Sequence, residues 1–283
     1  LDRASQCALL AARQAWEQAG APQVAPQRLA VSVSPGMGPV LSVMEAWDTL
    51  RDKGPRRVLP TAVPALMPNA PAAAVGIELG AHGGIHAPVS ACASGAEAIA
   101  YGADLITLGR ADVVVAGGTD AALHPMTVAA FGAMRALSTR NADPQTASRP
   151  FAPDRDGFVL GEGAGILVLE RAGHAIARGA RVLAVLAGSG VTADAYDVAR
   201  PEPSGAEQER ALRLAVERAD LGADAVGHVN AHATSTPAGD VVEAGVLART
   251  VPSAAVSATK SATGHLLGGA GGLEAVLTVM ALR

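Results

Sequence analysis

Residues 86–109 read HAPVSACASGAEAIAYGADLITLG and place one cysteine, Cys92, where a short β-compatible run turns sharply into a helix. Before it, residues 87–91 are small and nearly uncharged, as in a strand. After it, Ser94-Gly95-Ala96-Glu97 has the form of a capping box that opens a helix. Unpaired N–H groups at such a helix end carry partial positive charge, which favours a thiolate over a thiol and stabilises an oxyanion beside it. Cys92 is therefore the candidate nucleophile, and the plainer alternative is one more small buried residue. The helix from Ala96 to Leu108 is apolar nearly all round, which assigns it to the interior.

Near the other end, Val256-Ser257-Ala258 leads through Lys260-Ser-Ala-Thr-Gly-His265 to Gly272-Leu273-Glu274-Ala275. This echoes Val89-Ser90-Ala91 and Gly95-Ala96-Glu97-Ala98 and suggests two similar halves. Between them the chain alternates strands and helices. A helix is expected over 1–19, with Cys7, Leu10, Ala11 and Trp16 near one face, then a strand over 29–33 and a helix over 40–52. Met67-Pro68-Asn69-Ala70 should open a helix running to Leu79. The run 111–118, ADVVVAGG, reads as a buried strand beside the one that precedes Cys92. Phe131–Ser138 reads as helix, 149–165 as a long polar loop of the kind that carries function, and 181–190 as a strand. Ser204-Gly-Ala-Glu207 reads as a second capping box, with a Glu209/Arg213 pair on the helix surface. Gly227–Ala231 is a strand, 240–248 a helix, and 269–283 a final buried helix. The pattern is α/β, in which ligands sit where strands end.

The 283 residues suffice for a large core, with 49% hydrophobic residues, 32 glycines and few aromatics. A net charge of −4 does not advertise the basic surface that a nucleic-acid binder needs. Every apolar run is interrupted before the roughly 20 residues of a membrane span, and no signal segment opens the chain. Two cysteines, Cys7 and Cys92, give no metal-type pairing and fit a reducing, cytoplasmic setting, with Cys7 read as core. The His82/His86 spacing would suit zinc, but no acidic or cysteine partner lies near, so no metal is expected.

Three polar signals thus fall at strand ends: Cys92, His232, and Lys260 with His265. Together with Val89-Ser-Ala-Cys-Ala-Ser-Gly95, Ala136-Leu-Ser-Thr-Arg-Asn141, Ser148-Arg-Pro-Phe151, Asp154-Arg-Asp-Gly-Phe-Val-Leu-Gly-Glu-Gly-Ala-Gly165, Asn230-Ala-His-Ala-Thr-Ser-Thr-Pro237 and Lys260-Ser-Ala-Thr-Gly-His265, the chain resembles the elongating, two-histidine β-ketoacyl-acyl-carrier-protein synthases of the thiolase-like superfamily. The resemblance implies a five-layered αβαβα fold of two pseudo-repeated halves, 1–175 carrying the cysteine and 176–283 carrying His/Lys/His, truncated at both ends. It implies a homodimer that works with acyl carrier protein and needs no cofactor beyond the carrier's phosphopantetheine. It further implies that Cys92 holds the acyl chain, that His232 and His265 bind the malonyl thioester carbonyl, and that Lys260 orients or polarises this site. Glu274 matches a supporting position, Thr234 and Thr236 match contacts to the pantetheine arm, and Phe131 matches a gate of the acyl pocket.

Ala233 departs from the family's commonest pattern, glycine, a mild change unless the backbone there needs positive φ. The family's Gly-rich C-terminal segment and its first strand are also missing. A thiolase would place a second catalytic cysteine in the C-terminal half, and starter-type condensing enzymes carry asparagine where His265 stands. A polyketide ketosynthase shares the Cys-His-His set and is the serious rival. A non-catalytic partner subunit would lack Cys92.

Overall fold

The computed structural model describes residues 1–282. In chain order it contains α1 (Arg3–Gln18), β1 (Leu29–Ser34), α2 (Val40–Lys53), α3 (Ala62–Leu66), α4 (Ala70–Leu79), β2 (Ile85–His86), α5 (Ser94–Thr107) and β3 (Val113–Asp120). There follow α6 (Pro125–Ala133), β4 (Gly163–Glu170), α7 (Ala172–Ala177), α8 (Ala206–Arg218), β5 (His228–Asn230), α9 (Pro237–Thr250), β6 (Ala255–Ser257), α10 (Lys260–Thr263) and α11 (Gly268–Ala281). None of the described helices is long and apolar enough to cross a membrane. The elements fall into two compact units, one of residues 1–124, 161–184 and 266 onward, the other of 125–160 and 185–265.

The first unit is built on a four-stranded sheet in the order β2-β1-β3-β4, parallel except for β4. Side chains alternate across a strand, so odd and even positions of β1 and β3 feed two cores. Val31, Val33, Val113 and Val115 meet Ala8 and Ala12 of α1 and Ala72 and Val75 of α4. Ala30, Val114 and Ala116 meet Ile99 and Leu105 of α5, with Ala275 of α11 packed alongside. Each fully buried valine contributes about 1.5–3 kcal/mol. Helices α5 and α11 approach through glycine: a Cβ added at Gly95 would lie 2.6 Å from the Gly272 nitrogen and 2.7 Å from the Gly268 oxygen. In the second unit β5 and β6 pair in parallel, and Ala231, Ala233, Leu247 and Val251 form its core.

Several local expectations are corrected. The strand before Cys92 is only Ile85–His86, because Pro88 has no N–H for a ladder and Ala91 turns to φ 52°. β1, buried at all six positions, lies between it and β3. The first capping box does not form: the single turn Ala91–Ala93 already starts the coil, and the Ser94 hydroxyl accepts from the Ser90 N–H and donates to the Ala91 carbonyl. In the second, Gly205 at φ 69° takes the N-cap, the Ser204 hydroxyl donates to the Glu202 carboxylate and accepts the Ala206 N–H, and Glu207 pairs with Arg210. Phe131–Ser138 is not one helix. It ends at Ala133, Arg135 turns to φ 54°, and Ser138 donates to the Phe158 carbonyl. Residues 181–190 form no strand, since no described strand lies alongside. Gly188 and Gly190 instead lean on the α8 backbone, where added Cβ atoms would meet the Ala215 and Ala211 oxygens at 2.2 and 1.9 Å. On α1 the buried positions are Ala4, Ser5, Ala8 and Ala12, and the expected Ala11 and Trp16 pack against the same core, while Cys7 is half-buried and Leu10 is 60% exposed. The last helix is buried only over its first turns; Leu273 to Val279 are half-buried and Met280 is exposed, while Arg283, the end of the expected helix, lies outside the described residues.

Candidate active site

In the first unit Cys92 is half-buried in the middle of the turn Ala91–Ala93 that leads directly into α5. Ala91 holds φ at 52°, a conformation that costs an L-residue about 1–2 kcal/mol and persists only where its surroundings dictate it. The sulfur therefore stands at the positive end of a 14-residue helix. Glu274 belongs to the same unit, half-buried on α11, where its backbone carbonyl accepts from the Thr278 hydroxyl. His86, half of the zinc-like spacing, packs its ring edge-on against Tyr101 at 5.0 Å.

In the second unit the pairing of β5 with β6 aligns Asn230 with Ser257, so both strands end together and their C-terminal extensions carry His232 and Lys260. The Ala231 N–H continues the ladder to the Ser257 carbonyl at 2.8 Å. Lys260, 1% exposed, places Nζ 3.4 Å from His232 Nδ1. The His232 and His265 rings stand edge to face with centroids 5.2 Å apart. Phe158 lies edge-on to His265 at 5.3 Å, and Phe131 edge-on to Phe158 at 5.2 Å. Phe131, His265, His232 and Lys260 are thus linked in one polar and aromatic row. Thr234 and Thr236 follow within the same segment, their hydroxyls 3.1 Å apart.

This row is held from behind. The Glu243 carboxylate accepts the N–H groups of both His232, at 2.7 Å, and Ala233, at 2.6 Å. Ala233 has φ 24°, so the replacement of the family's glycine falls where positive φ is used, and Glu243 anchors the strained peptide. Asp240, 1% exposed, accepts the Phe151 N–H at 2.8 Å and faces Arg155, which donates to the Thr236 and Pro237 carbonyls. The polar loop before β4 is thereby tied to the segment that follows His232.

Burial, the positive charge of Lys260 and His265 lower the His232 pKa well below the usual imidazole value. His232 as a residue is exposed, and the lowered direction follows from the atoms packed around it together with the neighbouring charge of Lys260 and the adjacent His265. Burial and Lys260 pull His265 down to about 3. Both rings are neutral at pH 7. With Lys260 facing Nδ1 of His232, the ring proton is directed to Nε2, a tautomer that leaves Nε2–H as the donor. The same lysine opposes a metal cation at Nδ1.

Glu243 escapes a reading of the sequence, since it stands in no recognisable chemical pattern; Phe158 falls inside the motif 154–165, but nothing there marks it for a role. Glu243 lies 11 positions beyond the residue it anchors; its one signal is an acidic residue on the first turns of a helix that follows a strand-end histidine.

The match to known proteins covers the chain. The model for the beta-ketoacyl synthase N-terminal domain matches residues 1–175 and that for the C-terminal domain residues 183–283. A 3-oxoacyl-[acyl-carrier-protein] synthase 2 of Mycobacterium tuberculosis is 44% identical over 274 residues, 96% of this chain and 66% of the relative. The chain thus spans about two thirds of the length of such curated relatives. A beta-ketoacyl synthase from Burkholderia phymatum superposes with a TM-score of 0.90 at 38% identity, over 98% of this chain and 68% of the other. A type II polyketide ketosynthase, solved with its acyl-carrier protein and bound to a hexaketide, superposes with a TM-score of 0.93 at 29% identity, over 98% and 71%. The fold is the α/β, thiolase-like one that the motifs imply, and the chain belongs to the beta-ketoacyl synthase family.

Proposed function

We propose that the protein is a β-ketoacyl-acyl-carrier-protein synthase that elongates fatty acyl chains by decarboxylative condensation. The observation that carries this reading is the pair of neutral, edge-to-face histidines with Lys260 on Nδ1 of His232, on the segments that follow the parallel strands β5 and β6. Such a pair offers N–H donors to an oxygen that gains negative charge only during reaction, the arrangement that accelerates a step most.

The reaction has two stages. The Cys92 sulfur gives up its proton and attacks the acyl thioester of a carrier protein, the new S–C bond forms as the acyl–pantetheine C–S bond breaks, and the departing pantetheine sulfur takes up a proton in place of the one Cys92 released. Malonyl-carrier protein then binds with its thioester oxygen on the His232 and His265 N–H groups. Loss of carbon dioxide pushes the C–C bonding pair toward that oxygen as an enolate. The enolate carbon attacks the acyl carbonyl on Cys92; the C–S bond breaks, the thiolate is regenerated, and a β-ketoacyl chain two carbons longer leaves on the carrier. Lys260 fixes the His232 tautomer. Thr234 and Thr236 receive the pantetheine arm, Phe131 borders the acyl chain, and Glu274 supports the site from α11. No metal or further cofactor takes part, and the working form is a homodimer.

The likeness to a polyketide ketosynthase favours a second reading, with the same chemistry on poly-β-keto chains. Incubation with malonyl-carrier protein and acyl-carrier proteins of graded length, read by mass spectrometry, separates the two. Saturated acyl primers extended once to a β-ketoacyl product uphold the first reading, and repeated additions without reduction uphold the second. No condensation with either set contradicts both.

A further inference from the structure

Asp120 ends β3 with its side chain fully buried, yet no sequence motif marks it and the reaction above does not use it. One carboxylate oxygen accepts the N–H of Gly36 at 2.8 Å and of Gly268 at 2.7 Å, while Met37 N–H lies 3.3 Å from both oxygens. Its hydrogen-bonding partners are backbone amides, drawn from the turn after β1 and from the first residue of α11. Burying a carboxylate without a cation is costly, and a site that keeps one must gain something that an apolar residue would not give.

The two tied segments flank the cysteine turn. A Cβ added at Gly36 would lie 2.8 Å from the Ala91 carbonyl oxygen and 2.8 Å from the Gly268 nitrogen. On the other side, the Gly268 carbonyl is the atom against which Gly95 packs, an added Cβ there meeting it at 2.7 Å. Ala91, at φ 52°, immediately precedes Cys92, and Gly95 follows it by three residues. Both shoulders of the nucleophile's turn therefore rest on backbone that the Asp120 carboxylate pins together. We infer that Asp120 is a positioning residue for Cys92: by clamping Gly36 and Gly268 it holds the strained Ala91 peptide and the start of α5 in the geometry that presents the sulfur. This rests on the reading of Cys92 as the nucleophile.

The test is Asp120→Asn in the whole chain, with Cys92 and Cys7 alkylated by iodoacetamide and followed separately by peptide mass spectrometry. Asparagine keeps the shape and one oxygen for the Gly36 and Gly268 amides, but removes the charge that strengthens those bonds and turns its NH2 toward the Met37 amide. The Cys92 to Cys7 rate ratio should fall about tenfold or more, since displacements near 1 Å at a reacting group cost up to about a hundredfold. Cys92 acylation by acyl-carrier protein should slow at saturation with an unchanged KM. A ratio within about twofold of the original in the folded variant overturns the inference. If Asp120→Asn does not fold, Gly36→Ala decides, because its Cβ would meet the Gly268 nitrogen at 2.8 Å and the Asp120 carboxylate oxygen at 3.0 Å as well as the Ala91 oxygen, and so pries the clamp apart: a slowed Cys92 upholds the clamp, an unchanged one overturns it. Alkylation needs no thioester, so absence of acylation in the unsubstituted chain strikes the proposed function while the alkylation ratio still judges Asp120.

Discussion

At the scale of single residues, backbone strain stands beside the cysteine and both histidines, as it does at several turns elsewhere: Ala91 before Cys92, Ala233 and Ser235 after His232, and Leu267 after His265 all have positive φ. Ala233→Gly should remove the penalty at φ 24° and raise stability by about 1 kcal/mol, measured by urea unfolding; a loss of stability would show that Glu243 leaves no strain there. His265 supplies a pH test. Unfolded, its ring takes a proton near pH 6.5; folded, only near 3. Between these values the unfolded chain binds the extra proton, so this residue's contribution to stability falls as pH drops. Asp120, raised to about 6 by burial, has the opposite slope: the folded chain binds the extra proton, and its contribution is lost as pH rises from about 4 to 6. His265→Asn should flatten the acid side of the stability curve and Asp120→Asn should steepen it. Curves that do not move would mean that both groups titrate alike in folded and unfolded chains. Replacing either His232 or His265 by Ala should lower malonyl decarboxylation by about a hundredfold or more while sparing transfer to Cys92; equal loss of both would assign the ring to the cysteine's deprotonation.

At the scale of elements, the crossing of α11 over β3 and β4 depends on absent side chains. A Cβ at Gly272 would lie 2.3 Å from the Gly165 oxygen, and overpacking of this kind costs about 1–3 kcal/mol. Gly272→Ala should therefore destabilise the fold by that order. Gly222→Ala, with nothing within 4 Å and φ −89°, should leave it unchanged. Equal melting temperatures for the two would refute the close-packed crossing. Helices were readable where apolar period and punctuation agreed, as for α4 after Met67-Pro68-Asn69 and for α8 with its Glu209–Arg213 pair. Cap and strand chemistry was less readable because it depends on neighbours: Ser94 bonds backward instead of capping, and residues 181–190 have the composition of a strand without one beside them.

At the scale of the molecule, α/β alternation and six ordered motifs carried the family, and the chain's similarity to known synthases bears that out. The motif residues were legible because chemistry restricts their types. His232, Lys260 and His265 come together in one row that includes Phe131. Their supports were not legible, since a contact such as Asp120 to Gly268 joins positions 148 apart and demands only that one side chain accept and the other be missing. The central claim is that Cys92 alone carries the acyl chain. Incubating the protein with acyl-carrier protein, digesting it and weighing the cysteine peptides should place the full acyl mass on the Cys92 peptide, none on that of Cys7, and none anywhere in Cys92→Ala. An acyl group on Cys7, or an unmodified Cys92 in the folded chain, would contradict the account.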